Sequence, residues 1–263
     1  MKSVIAVVFQ ALALAAALAP FSAASVRAAE SDSANEKVLQ VWRLYDEGEV
    51  ERALTMAEGI HDARGDSRLV LTALIGFLYE KQDRDDEALS RLDSVKPALR
   101  EALVESAAAA GGEPSADGRH RSFLRLYMDV LRTRGTLLYA GGNCDQAVPE
   151  LQEMMGIAGV PNPLALSMIG SCMYRGREYG EAREYFEESY RWHEPGELKD
   201  QAAYNVAAMY ALQGEAEESA RWLGTASESG GSRWFEAAGG DEDFDPVRGS
   251  EAFQALLRRV PVP

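Results

Sequence analysis

The chain has 263 residues, 42 of them acidic and 27 basic, for a formal charge of −15. A surface of that sign repels nucleic acid and anionic lipid, so neither is an expected partner. Ala, Leu, Glu and Arg, all strong helix formers, fill nearly every long segment, and no run alternates as a half-buried strand does, so the expected fold is all-α.

The first residues, Met1-Lys2, are followed by an apolar run from Val4 to Leu18, then Pro20 and the small residues Ser22 to Ser25. These are the three parts of a secretory signal peptide, with cleavage expected after Ala28 and after Ala24 as the alternative. The apolar run is about 15 residues, short of the roughly 20 that span a bilayer. No cysteine near the cleavage region offers a site for a lipid anchor, and no later stretch is apolar enough to span. The expected location is periplasmic or secreted, without a stable membrane anchor.

From residue 34 onward a spacing repeats: a small residue, a second small residue twelve positions later, and an apolar residue four further on. Gly76–Ala88–Leu92, Gly135–Ala147–Leu151 and Gly170–Ala182–Phe186 fit it; Ala207–Ser219–Leu223 and, loosely, Val41–Ala53–Ala57 extend it. The second small residues are 35, 59, 35 and 37 apart, a period near 35 with one insertion. Two antiparallel helices cross closely only where both present small side chains, and the apolar residue then packs toward the next pair. One such pair cannot bury its apolar face alone, so stacking must complete the core. The turns agree. Gly48, Gly142 and Gly214 stand five residues before the second small residue, Gly176 stands six before it, and Asp83 takes the place in the second repeat. Gly there ends the first helix in the left-handed region without steric cost. Acidic residues after it (Glu49, Asp85, Asp86, Asp145, Glu181, Glu217) suit the positive end of the second helix.

These residues resemble the tetratricopeptide repeat (TPR) family, whose pattern runs from an aromatic through Leu-Gly, Tyr, Ala and Phe to Pro. The fourth repeat matches at Leu166, Ile169-Gly170, Met173, Ala182 and Phe186, with Pro195 one residue late. The second matches at Ile75-Gly76, Tyr79 and Ala88, and the fifth at Tyr210, with Ala207 for Gly and Ser219 for Ala. The resemblance covers about residues 34–230. It implies a right-handed α-solenoid of about five TPR helix pairs.

Two stretches depart from the pattern. Residues 97–118 have no place in a repeat: PALREALVESAAAA from Pro97 to Ala110 reads as an inserted extra helix and GGEPSADG as a loop. Pro149 falls inside the second helix of the third repeat, which should kink or start late. After a Gly-rich loop at 231–240, DEDFDPVRGSEAFQALLRRV resembles the segment that closes such arrays, with Phe244, Phe253, Leu256 and Leu257 expected to cover the last repeat. The expected divisions are therefore a signal peptide at 1–28, a solenoid at 29–230 and a C-terminal loop and capping helix at 231–263.

Catalytic chemistry finds little support. Asp241, Asp243 and Asp245 alternate as in a calcium loop, but Pro246 and Ala252 stand where that loop needs Gly and Glu, so a capping turn is the better reading. His61, His120 and His193 lack ligand spacing and read as solvated loop or helix-end residues. No phosphate loop or nucleophile elbow occurs. No catalytic residue, metal or cofactor is expected. Cys144 and Cys172, two cysteines in an exported chain, suggest one disulfide, against two buried thiols. Closing a loop of about 28 residues would contribute roughly 3 kcal/mol.

The resemblance also implies that the first helices of successive repeats line a concave face. In repeats 3 to 5 that stripe would hold Arg132, Thr136, Tyr139, Ser167, Ser171, Tyr174, Arg175, Tyr204 and Asn205, continued toward the start by Trp42, Tyr45 and Phe77. Tyr and Arg are the residues of binding hot spots. The expected function is an exported, non-enzymatic scaffold binding a peptide or protein in cell-envelope assembly. The alternative is an envelope enzyme or a small-ligand or glycan receptor using the same groove.

Overall fold

In a computed structural model the described residues are 33–109 and 118–258; the expected signal peptide and nearly all of the expected loop GGEPSADG lie outside them. Every regular element among the described residues is helical. Five helix pairs come first: α1 (Ser33–Asp46) with α2 (Val50–Glu58), α3 (Gly65–Glu80) with α4 (Asp85–Ala109), α5 (Gly118–Ala140) with α6 (Cys144–Ala158), α7 (Pro163–Arg175) with α8 (Tyr179–Trp192), and α9 (Glu197–Leu212) with α10 (Ala216–Gly230). A short helix α11 (Arg233–Gly240), a 3-10 turn (Glu242–Phe244) and α12 (Glu251–Leu257) complete the order. These elements form two compact units, one through Ile157 and one from Ala158.

Each pair closes with the same backbone turn. One N–H bonds three residues back and the next bonds five back, satisfying two of the first helix's orphan carbonyls. In the first pair Gly48 N–H meets Tyr45 O at 3.0 Å and Glu49 N–H meets Leu44 O at 2.8 Å. The other four pairs repeat this with Asp83/Arg84, Gly142/Asn143, Arg177/Glu178 and Gly214/Glu215. The residue that donates three back sits at positive φ: Gly48 at 76°, Asp83 at 56°, Gly142 at 80°, Arg177 at 63° and Gly214 at 77°. This corrects the expectation for the fourth repeat. Gly176 is ordinary right-handed helix at φ −75°, because the left-handed place lies five residues before the second small residue, and there the chain has Arg177.

The repeated spacing is a set of steric contacts. A Cβ added at Gly76 would meet Leu92 Cδ2 at 2.7 Å, and one at Gly135 would meet Leu151 Cδ2 at 2.7 Å. At Gly170 it would meet the Phe186 ring at 3.0 Å. Leu92, Leu151 and Phe186, with Ala88, Ala147 and Ala182, are buried. Each small residue is thus the seat for the apolar residue sixteen positions on.

Two expectations about prolines and the insertion change. Pro97 to Ala109 is not a separate helix; it continues α4, which runs unbroken for 25 residues. Leu92, Val95, Leu99, Ala102 and Leu103 lie on one buried stripe across the proline, and burying such a stripe outweighs the roughly 3 kcal/mol that an interior proline costs. Likewise α6 does not start late: it begins at Cys144, with Ala147, Leu151 and Met154 buried on either side of Pro149.

In the unit from Ala158, residues after the last pair join the core rather than trail from it. Trp234, Ala238, Phe244, Val247 and Phe253 are buried with Phe186, Ala207 and Leu223 in one cluster, against which Leu256 packs. The 3-10 turn packs on α9, and α12 packs on α10.

Candidate binding surfaces on the first helices

In the unit through Ile157 the first helices α1, α3 and α5 bring aromatic and charged side chains to one strip. The Trp42 and Tyr45 rings are 5.8 Å apart and the Tyr45 and Phe77 rings 6.5 Å apart. Trp42 and Phe77 are buried, and Tyr45 is partly exposed. From α5, Arg132 holds Asp129 at 3.2 Å, with 39% of the Arg132 side chain exposed. Burial and then the Glu80 carboxylate push the Tyr45 phenol up to about 12, while Arg132 pulls it back. Burial also raises the Asp129 carboxyl, and Arg132 opposes that rise. The strip is therefore an aromatic ledge beside one ion pair. It offers the partly exposed Tyr45 and the Arg132 guanidinium at the surface, with Trp42 and Phe77 buried behind them. Thr136, one turn beyond Arg132, is partly buried, and Tyr139, a turn further, is fully buried.

The corresponding helices of the second unit, α7 and α9, present a different surface. The Tyr174 hydroxyl donates to Asp243 at 2.9 Å from Oδ1 and 3.0 Å from Oδ2. The Tyr204 hydroxyl donates to Asp241 Oδ2 at 2.9 Å. The Tyr204 ring lies 5.1 Å from Trp234 and 5.3 Å from Phe244. The chain's own C-terminal segment thus lies on the tyrosines expected to face a partner. Arg248 ties that segment into a turn: its guanidinium donates to the Ala238 and Asp241 carbonyls at 2.9 and 2.7 Å and to Asp245 Oδ1 at 2.7 Å. Asp241 caps the turn by accepting from Asp243 N–H at 3.1 Å, the role its spacing suggested. Burial drives the Asp243 carboxyl up to about 6, opposed by the bond from Tyr174 and helped by the Asp241 and Glu242 charges. Burial beside Asp241 likewise raises the Tyr204 phenol far above its ordinary value.

The remaining residues of the expected stripe divide by exposure. Ser171 is buried and donates to Ser167 O at 2.8 Å, within its own helix. Ser167 bonds Ser189 at 2.8 Å. Asn205 is buried and Arg175 is exposed. Sequence reasoning passed over Asp129, and it read Asp241 and Asp243 as a capping turn without their tyrosine partners. The Asp129–Arg132 spacing of three on a helix was a usable signal. The pairing of the two tail aspartates with Tyr174 and Tyr204 had none, because those tyrosines are distant along the chain.

Cys144 and Cys172 are disulfide-bonded and no free thiol remains. His193 is not the solvated helix-end residue its position suggests: it is buried, and burial with Lys199 nearby lowers its pKa. His120 Nδ1 lies 2.8 Å from Ser106 Oγ. Among the described residues no group of three or more His, Cys, Asp or Glu is placed to hold a metal ion, and no helix is long and apolar enough to cross a membrane.

No protein-family model and no curated protein matches the chain. Solved structures do. YrrB, a TPR protein with an unusual peptide-binding site, aligns over 77% of this chain and 90% of its own at 19% identity and a TM-score of 0.56. A kinesin light chain from Podosopora anserina with nearly identical TPR-like repeats aligns over 75% of this chain and 95% of its own, at 15% identity and a TM-score of 0.48. PilW, a type IV pilus biogenesis factor, aligns over 87% and 100%, at 12% identity and 0.44. At such an identity the likeness to YrrB speaks to the fold alone, and with the five closed helix pairs it shows that the chain has the all-α TPR solenoid fold.

Proposed function

We propose that this chain is an exported TPR scaffold that binds a peptide or protein partner in cell-envelope assembly, and that it does so without catalysing a reaction. The observation that carries this reading is the strip on α1, α3 and α5, where Trp42, Tyr45 and Phe77 lie beside the Asp129–Arg132 pair. Aromatic side chains give contact area at low entropy cost, and a half-exposed Arg adds donors for a partner's carbonyl or carboxylate. Preformed helices hold all of them in place before a partner arrives, which lowers the ordering cost of binding. Thr136 extends the strip, and buried Tyr139 supports it from beneath. In the second unit, Arg175 offers exposed surface, while Tyr174, Tyr204, Ser171 and Asn205 would shape a site rather than touch a partner unless the C-terminal segment moves. YrrB's own peptide-binding site makes peptide recognition a natural use of this fold. Export rests on the signal-peptide pattern at 1–28 and accords with the disulfide.

A photo-crosslinking amino acid placed at Thr136 tests the proposal. Irradiation in envelope extract should yield protein adducts that are reduced at least tenfold by Tyr45→Ala or Arg132→Ala, as expected of hot-spot truncation. An outward control at Glu51 should give none of the same adducts. Adducts to glycans or small metabolites only would point instead to a small-ligand receptor and would sink the scaffold reading.

A further inference from the structure

A second surface lies on the other side of α3. Residues Arg68, Leu71, Thr72 and Ile75 follow one helical stripe and line a cleft of about 840 Å³ with α2, the loop after it and α4. Phe77 stands nine positions after Arg68, about 180° around the helix, so this cleft faces away from the aromatic strip. Its floor is apolar: Ile60, Leu71 and Ile75 are buried beneath it. Its rim is basic, with Arg64, Arg68 and Arg91 all exposed.

That rim runs against the chemistry of the rest of the chain. With 42 acidic and 27 basic residues, carboxylates are plentiful, and several arginines elsewhere are tied to them: Arg84 to Glu87, Arg119 to Asp66, Arg134 to Asp93 and Glu150, Arg233 to Glu197. Around the cleft they are not. Among the described residues neither Arg68 nor Arg91 forms an ion pair, and Arg64 donates only to carbonyls, His61 O at 3.1 Å and Ala63 O at 2.9 Å. Those two bonds fix the Arg64 head against the loop. The one carboxylate in the wall, Glu58, accepts from the Tyr79 hydroxyl at 2.8 Å. Three arginines and a single carboxylate therefore line one opening above an aliphatic floor, an excess of positive charge.

We propose that this cleft is a second binding site, for an acidic peptide segment that seats an aliphatic side chain on Ile60, Leu71 and Ile75 while its carboxylates meet Arg64, Arg68 and Arg91. The volume falls in the range of about 300–1,000 Å³ that binding pockets occupy. The planar forks of the arginines suit carboxylates bidentately. The negative charge of the remaining surface would keep diffuse anions away and leave this cleft as the local attractor.

The test is fluorescence polarisation with a fluorescein-labelled, amidated peptide of alternating Leu and Glu, using the full chain. Binding should be saturable and should weaken as salt rises. The double variant Arg68→Ala with Arg91→Ala should bind at least tenfold more weakly with an unchanged far-UV circular dichroism spectrum, since both side chains are exposed. Arg233→Ala, at an exposed arginine of the second unit outside both surfaces, should bind as the unaltered protein does. Reversing both charges, Arg68→Glu with Arg91→Glu, should transfer preference to a Leu/Lys peptide. The proposal is overturned if the unaltered protein does not bind the Leu/Glu peptide, if a Leu/Gln peptide binds as well, if the double variant is unaffected, or if Arg233→Ala weakens binding as much. Inorganic phosphate competing as well as unlabelled Leu/Glu peptide, at matched ionic strength, would also overturn it.

Discussion

The two units build the same helix–turn–helix and leave their first-helix faces in contrasting states. Through Ile157 the aromatic strip of Trp42, Tyr45 and Phe77 borders an ion pair whose Arg132 side chain is 39% exposed. From Ala158 the equivalent tyrosines, Tyr174 and Tyr204, donate to Asp243 and Asp241 of the chain's own C-terminal segment. One face keeps Tyr45 and Arg132 partly exposed over a buried aromatic pair; on the other the tyrosine hydroxyls are already taken up by the chain's own aspartates. Partner recognition should therefore concentrate on the first unit, while the second gains stability from the same kinds of residue.

The strongest way to break this contrast is to remove the ring that anchors the covering segment. Phe244 is fully buried, 5.3 Å from Tyr204 and 5.7 Å from Phe253. Phe244→Ala should cost about 3–5 kcal/mol, the loss of transfer energy plus the cavity left behind. Urea unfolding followed by tryptophan fluorescence measures it. A cost below about 1 kcal/mol would mean that the segment is an ornament on the second unit rather than part of its core.

A smaller effect separates how the two units seat their crossings. In the first, a Cβ at Gly76 or Gly135 would press on both Cδ2 and Cγ of a leucine, at 2.7 and 2.8 Å. In the second, a Cβ at Gly170 meets the edge of the Phe186 ring at 3.0 to 3.2 Å. Gly76→Ala and Gly135→Ala should each destabilise by about 1–3 kcal/mol as overpacking, part of it offset by the better helix propensity of Ala. Gly170→Ala should cost less, because the ring needs to give only a few tenths of an ångström. Thermal unfolding of the three variants side by side gives the ranking, and a Gly170→Ala variant as damaged as the other two would remove the distinction.

These crossings were also the most legible part of the sequence. A contact between residues sixteen apart, such as Gly76 with Leu92 or Gly170 with Phe186, is set by one turn and two helical periods, so residue spacing alone reveals it. The same local logic placed the five turns, and it failed by a single residue at Gly176 because glycine's presence was read ahead of its register. The covering of Tyr174 and Tyr204 was not legible. Their partners lie 69 and 37 residues further on, and a helical stripe cannot show which of its positions another segment will reach. Aspartates that read as a capping turn proved also to accept from the hydroxyls of Tyr174 and Tyr204. The continuation of α4 through Pro97 was hidden for a related reason: local propensity ends a helix there, and only burial of Leu92, Val95 and Leu99 on one stripe carries it on.

The smallest expected effect tests the covered face by charge. Asp243 is raised from 3.8 to about 6, chiefly by burial, with Asp241 and Glu242 adding repulsion and the Tyr174 hydroxyl opposing the rise. The folded chain thus binds this proton more tightly than the unfolded chain. The stabilisation is fully present below the unfolded value and is lost as pH rises through about 6. Asp243→Asn stays neutral throughout and keeps an oxygen for the Tyr174 hydroxyl. Relative to that variant, the unaltered protein should lose about 1 kcal/mol between pH 5 and pH 7, a figure reduced for partial solvent screening. On the first unit the Tyr45 phenol, at about 12, titrates far above this window and adds no slope there. Urea midpoints at constant ionic strength across pH 5 to 7 provide the comparison. If both proteins show the same slope, Asp243 carries no such proton, and the contrast between the faces rests on packing around Tyr204 rather than on buried charge.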